Sequence, residues 1–102
     1  MRIIVFFDLP IGTATQQKDY RLFRKFLIKD GYIMMQESVY SRMVLDGSAA
    51  EAAIMRLKKN KPPHGLVQAL KVTEKQFGGM VNITGTTNDS SIVDTEDRLI
   101  VL

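Results

Sequence analysis

A single α+β domain, with one antiparallel sheet and two helices packed on one face, is the fold that this 102-residue chain predicts. Three observations lead there. Apolar, β-branched runs alternate with stretches of helical periodicity in the order strand, helix, strand, helix, strand. The length suits one core, residues 1–102, and not two. A composition of 45% apolar and 25% charged residues is that of an ordinary globular chain. A chain of this size removes from water only roughly two-thirds of its unfolded surface, so a second copy covering more of it would add stability.

Arg2 to Asp8 reads as the first strand, because Ile3-Ile4-Val5-Phe6-Phe7 is β-branched and aromatic and Pro10 with Gly12 stops it. These apolar residues run without alternation. That pattern predicts cover on both faces, one from helices and the other from a second subunit. Thr13 to Asp30 follows as a helix, with Thr13 or Thr15 as N-cap and Gly31 as the terminating residue. Tyr20, Phe23, Phe26 and Leu27 form its buried stripe. Lys18, Arg21, Lys25 and Lys29 recur at spacings of three and four on another face, with Arg24 beside them. They make a cationic ridge about 16 Å long at 1.5 Å per residue.

Tyr32 to Leu45 is strand-like and contains no Gly, Pro, Asn or Asp to mark a tight turn. It predicts one long bent strand, or two strands joined by a kink near Gln36 and Glu37. Ser48 is expected to cap a second helix running to about Lys59, with Ala49, Ala50, Ala53, Ile54 and Leu57 facing inward. Arg56, Lys58, Lys59 and Lys61 crowd its end, where they suit the negative pole of the helix or extend the cationic surface. Pro62-Pro63 is a stop, Leu66 to Val72 a third strand, Lys75 to Phe77 a helical turn, and Met80 to Thr84 a fourth strand. Gly85 to Ser91 is a loop and Asp94 to Asp97 an acidic connector. The final run, Arg98-Leu99-Ile100-Val101-Leu102, is too apolar for a strand edge left in water. This order gives a ferredoxin-like sandwich. Residues 94–102 are read as a segment exchanged within a homodimer, with Leu99, Ile100, Val101 and Leu102 in the interface.

The absence of cysteine excludes a disulfide framework, a thiolate zinc site and a cysteine nucleophile. Ile3 to Phe7 is too short for a signal-peptide core or a membrane span, so a cytoplasmic protein without membrane contact is expected. The net charge of +3 is unevenly placed: residues 1–61 carry 11 basic and 6 acidic side chains, the remainder 3 and 5. The first part is therefore the candidate anion-binding surface. Gly78-Gly79 lacks the Lys-Ser or Lys-Thr of a nucleotide-phosphate loop. His64, the only histidine, reads as a turn residue after two prolines. Glu37 reads as a surface carboxylate answering Arg42 or a lysine.

Asp8 is the singular acid. A carboxylate closing an apolar strand is expected at an edge, hydrogen-bonded to loop amides, paired, or bound to metal. An Asx-type turn into Pro10 is one reading. In the other, a twofold axis near the strand ends brings two copies of Asp8 together and supplies two hard oxygen ligands for Mg²⁺.

Ile4-Val5-Phe6-Phe7-Asp8, Arg21-x-x-Arg24-Lys25-x-Leu27 with Gly31, and Gln36-x-Ser38-Val39-Tyr40 together resemble the small CRISPR-associated adaptation proteins of the Cas-two family. Val72-Thr73-Glu74-Lys75-Gln76-Phe77 and Glu96-Asp97-Arg98-Leu99-Ile100-Val101 resemble its type II-A branch. The resemblance implies a ferredoxin-like homodimer that bridges two dimers of the Cas-one integrase and holds the middle of a protospacer duplex during spacer acquisition. It also implies, from some relatives, a Mg²⁺-dependent endonuclease acting on single-stranded RNA or double-stranded DNA, with Asp8 contributed by both subunits.

Physical chemistry favours the scaffold. Ridges of Arg and Lys bind duplex phosphates without reading sequence, as handling arbitrary DNA requires. Lys18, Arg21, Arg24, Lys25, Lys29, Lys58, Lys59 and Lys61 are the candidate contacts. Metal-dependent hydrolysis asks for more ligands than one convincing carboxylate per subunit. A small-molecule-binding regulatory dimer of the same fold would require a compact apolar pocket instead.

Overall fold

β1 (Arg2–Asp8) runs through the sheet with β3 (Val39–Met43) on one side and β4 (Leu66–Val72) on the other, antiparallel to both. β2 (Ile33–Gln36) lies outside β3, giving the order β2-β3-β1-β4. The computed structural model describes residues 1–85. Helices α1 (Ala14–Lys29) and α2 (Gly47–Lys59) fill the crossovers, and a short α3 (Glu74–Gly78) follows β4. This is the expected α+β arrangement, a ferredoxin-like sheet of four antiparallel strands. The expected loop beyond Gly85, the acidic connector and the segment 94–102, with Leu99, Ile100, Val101 and Leu102, lie outside the described residues.

The alternation of β1 separates two environments. Ile3, Val5 and Phe7 are buried against Phe23 and Leu27 of α1 and Ala50, Ala53 and Leu57 of α2. Each large side chain so buried stabilises the fold by roughly 1.5–3 kcal/mol. The Phe7 ring sits at the centre of an aromatic cluster, edge-on to Phe23 at 5.3 Å and to Tyr20 at 5.9 Å, with Tyr40 tilted against it at 5.7 Å. Such pairs add about 0.5–1.5 kcal/mol each beyond burial. The even-numbered residues share the opposite face. Register places Ile33, Ser41, Ile4 and Leu70 in one row across the sheet. On this face Ile4 is buried, while Phe6 (38% exposed), Leu70 (52%), Leu66 (57%) and Ile33 (60%) are not. The second cover that the unbroken apolar run predicts is not supplied by the described part of this chain.

Local chemistry fixes the helix ends. Thr13, not Thr15, caps α1: its hydroxyl accepts from Gln16 N at 3.1 Å, and Gln16 Oε1 accepts in return from Thr13 N at 3.1 Å. Gly31, at φ +95°, ends the helix in the left-handed region that favours glycine. The expected Ser48 cap is corrected. Asp46 takes the role, its carboxylate accepting from Ala49 N at 2.8 Å, and α2 begins at Gly47. A carboxylate at that position also meets the positive pole of the helix.

Tyr32 to Leu45 forms two strands in a hairpin turning at Glu37–Ser38. The pairing moves from Met34↔Tyr40 to Gln36↔Val39, so Met35 is a bulged extra residue. Phe7 N donates to the Ser38 carbonyl at 3.1 Å and ties the hairpin tip to β1. Bulge and tertiary bond together do what Gly or Asn does in a turn fixed locally. Met80 to Thr84, expected as a strand, is not one. Apolar alternation gives a strand only where a ladder partner exists, and none pairs with this segment among the described residues; Val81 and Ile83 are 74% and 77% exposed.

Candidate nucleic-acid interface

Lys18, Arg21, Lys25 and Lys29 are all exposed or partly exposed along α1, and none is in an ion pair among the described residues. Their row follows from the helix period, because Phe23 and Leu27 occupy the opposite stripe and dock it on the sheet. Arg24 behaves differently. Its Nε donates to the Tyr40 hydroxyl at 2.8 Å, tying α1 to β3. That bond and the nearby phenol hold the guanidinium pKa above its ordinary value. Arg24 is thus aimed by the sheet, where the lysines are free to turn.

Four of the candidate lysines border two grooves. Lys58 and Lys61 border an apolar groove of about 450 Å³ between α2 and β4, lined by Ile54, Leu57, Leu66 and Val67. Lys25 and Lys29 border a second groove of about 490 Å³ that reaches Asp30 and Asn60, the residues capping the ends of α1 and α2. Lys59 is exposed beside Asn60. The structure therefore joins the second half of the α1 ridge to the α2 terminus, while Lys58 and Lys61 lie toward β4.

Asp30 links these elements. Arg56 Nε donates to both of its carboxylate oxygens, at 2.9 and 3.1 Å, and Arg42 Nη1 lies 3.3 Å from one of them. Arg42 also donates to the Asp30 main-chain carbonyl. Arg42 thus answers Asp30 and not Glu37, correcting the sequence expectation. Glu37 sits exposed in the hairpin turn, where its carbonyl accepts from the Tyr20 hydroxyl at 3.3 Å. Tyr32 packs beneath, its hydroxyl buried with no hydrogen-bond partner among the described residues. Burial, helped by the Asp30 charge, pushes the phenol up to about 12. No short-range signal marks the Asp30 cluster, because its arginines lie 12 and 26 residues away.

Asp8 stands exposed at the end of β1, opposite Leu66. Its carboxylate accepts no hydrogen bond among the described residues. Gly65 holds this strand end in place. At φ +95°, a Cβ there would fall 2.6 Å from the Asp8 carbonyl and 2.7 Å from Leu9 Cδ2. Only glycine lets the entrance of β4 pass so close. The sequence suggests a turn there but not this approach. His64 is exposed nearby, beside Pro10, Asp19 and Pro62. Among the described residues no three His, Cys, Asp or Glu side chains gather as metal ligands. Asp8 is a hard oxygen donor of the kind Mg²⁺ takes, but one carboxylate falls short of a site.

Among the described residues no helix is long and apolar enough to cross a membrane. The family model for CRISPR associated protein Cas2, the Cas-two of the resemblance above, matches residues 1–80. The chain is 48% identical over 102 residues to the CRISPR-associated endoribonuclease Cas2 of Treponema denticola, covering 100% of both chains. It is 49% identical to the protein of that name from Streptococcus mutans, covering 100% of this chain and 93% of the relative. The corresponding Ligilactobacillus salivarius protein is 39% identical, with both chains covered in full. A ferredoxin-like sheet, a helix bearing a cationic ridge and an acid closing the first strand thus occur in a chain that belongs to the CRISPR-associated Cas2 family.

Proposed function

We propose that this chain acts in CRISPR adaptation as a homodimeric, duplex-DNA-binding scaffold that bridges dimers of the Cas-one integrase while a protospacer is integrated. The observation that carries the reading is the division among its cations. Arg2, Arg42, Arg56 and Lys71 are committed to carboxylates. Lys18, Arg21, Lys25 and Lys29 lie in one row with no such partner among the described residues. A row of free cations on a rigid helix suits a repeating phosphate backbone and reads no sequence. The open apolar sheet face supports the dimer, since Phe6, Ile33, Leu66 and Leu70 would be covered by the same face of a second copy. The terminal run Leu99 to Leu102 is proposed, from its sequence, to cross between the subunits.

The relatives are named endoribonucleases, which favours a second reading, a nuclease; its dependence on Mg²⁺ is what the family resemblance implies. Here Asp8 from each of two subunits would hold the ion, which would supply Lewis-acid activation of a phosphodiester. Asp8→Asn separates the two. The substitution keeps shape and removes the charge that would hold Mg²⁺. The scaffold reading expects spacer insertion in a reconstituted Cas-one reaction to persist with Asp8→Asn while any metal-dependent cleavage disappears. Loss of insertion in a folded, dimeric Asp8→Asn protein that still binds duplex and integrase would reject it. Thermal melting with and without Mg²⁺ gives an independent readout, because a specific site raises the midpoint of the native chain more than that of the variant.

A further inference from the structure

The row on α1 ends at a groove whose far side is the C-terminal end of α2. Arg56, on that last stretch of α2, has an arrangement unlike the other paired cations. Its Nε alone makes the ion pair, spanning both oxygens of Asp30. Its two terminal nitrogens have no partner among the described residues, and the side chain is 40% exposed. Below it the main chain is also held, because Asn60 Nδ2 donates to the Arg56 carbonyl at 2.9 Å. Arg2, by contrast, uses both Nε and Nη2 on Glu74 and lies over the Phe77 ring at 4.0 Å.

We propose that Arg56 binds backbone phosphate in the nucleic-acid interface, oriented through Nε by Asp30 and acting with Lys25 and Lys29, which border the groove that Asp30 lines. The assignment rests on the duplex-binding reading above. A guanidinium presents a planar fork of donors that matches phosphate oxygens. Most of the cost of ordering such a side chain is met before a ligand arrives when one edge is already fixed. The ion pair does not cancel the site. Arg42 and Arg56 put two positive charges on the single carboxylate of Asp30, and Lys25 and Lys29 add two more along the groove that it lines. That excess also outweighs the partial negative charge, about half an electron each, at the two helix ends that converge there.

The experiment is duplex binding by the full chain over a salt series, using a mixed-sequence blunt DNA duplex. Removing one cation from a phosphate should move the slope of log affinity against log salt toward zero by about 0.9, so Arg56→Gln in a dimer shifts it by about 1.8. An unchanged slope, with the melting temperature lowered, would overturn the assignment and leave Arg56 as a brace for Asp30. The wild-type protein supplies a second test that needs no variant. Phenylglyoxal attacks the terminal guanidinium nitrogens, and bound duplex should protect Arg56 in low salt and release it in high salt, read on the modified peptide by mass spectrometry. Full modification of Arg56 at saturating duplex would overturn the proposal. A wild-type protein with no salt-dependent duplex affinity would instead remove the duplex reading itself, and this assignment with it.

Discussion

The α1 row and the cations placed elsewhere share one chemistry and differ in what surrounds them. Arg2 meets Glu74 at 3.0 Å, Lys71 meets Glu51 at 2.9 Å, and Arg42 and Arg56 converge on Asp30. Each of these joins elements distant in sequence, as Arg2 does in fastening α3 to the start of β1. No carboxylate pairs with Lys18, Arg21, Lys25 or Lys29 among the described residues. A helix could gain a few tenths of a kcal/mol per pair from acids at i+3 or i+4, and along most of this row that gain is forgone. So small a loss is easily borne by the fold, and it leaves the charge available to a partner. The difference teaches that net charge is a poor guide to this surface and pairing a good one.

Reversing the free set should give the largest effect. Arg21→Glu with Lys25→Glu takes about two cations per subunit away from the backbone, which should flatten the salt slope by about 3.6 and weaken duplex affinity by at least roughly a hundredfold at moderate salt. Both positions are exposed, so the melting temperature should move little. An affinity left unchanged would mean that the unpaired row is only a solvated surface.

The next effect concerns how many rows one particle carries. Leu70→Asp puts a charge on the β4 side of the open sheet face without disturbing the helix-side core. Monomers are expected by sedimentation, with a salt slope of about half the native value, since each particle then presents one ridge. An equally stable dimer would show that the subunits meet elsewhere.

Disturbing the paired set should do the converse. Asp30→Asn leaves two arginines without their shared anion and should cost about 1–2 kcal/mol, discounted for partial exposure. A melt at native pH reads this. Duplex binding should fall far less than in the α1 double reversal, because every cation on the surface keeps its charge and only Arg56 loses the carboxylate that orients it. Equal losses in stability and binding would erase the distinction between the two sets.

The free set is legible in the sequence and the paired set is not, for a physical reason. The α1 ridge needs only the helix period, and the bounds of β1 and β4 need only apolar runs with Pro and Gly at their ends. Arg42 gives no local hint that it reaches Asp30 and not Glu37, because that choice depends on how β3 lies against the end of α1. The hairpin at Glu37–Ser38 is half legible for the same reason: its bulge at Met35 and the bond from Phe7 N replace the turn residues that sequence reading relies on. Asp46 displaces Ser48 as a cap because either residue type serves, and only the chain direction decides. Met80 to Thr84 has strand composition without a ladder partner in the described chain, a matter of neighbours and not of propensity.

The smallest expected effect is a pH dependence in the paired set. The hydrogen bond from Arg2 holds the Glu74 carboxyl below its ordinary value. A depressed folded pKa means that this contribution is present above the unfolded carboxylate value and is lost as pH falls through the folded one. Melting temperatures of native protein and Glu74→Gln should therefore differ slightly at neutral pH and converge in acid. The gap is expected to be small because the pair is exposed. A gap that widens in acid would have the wrong sign and would show that Arg2 does not stabilise the ionised form.

The central claim is that the unpaired α1 row holds duplex backbone without regard to sequence. Filter binding of the native protein to two blunt duplexes of unrelated sequence, over a salt series, tests it most directly. With about four phosphates engaged by each of two subunits, the slope of log affinity against log salt should be about −7 or steeper, and the same for both duplexes. A slope near zero, or a strong preference for one sequence, would contradict it.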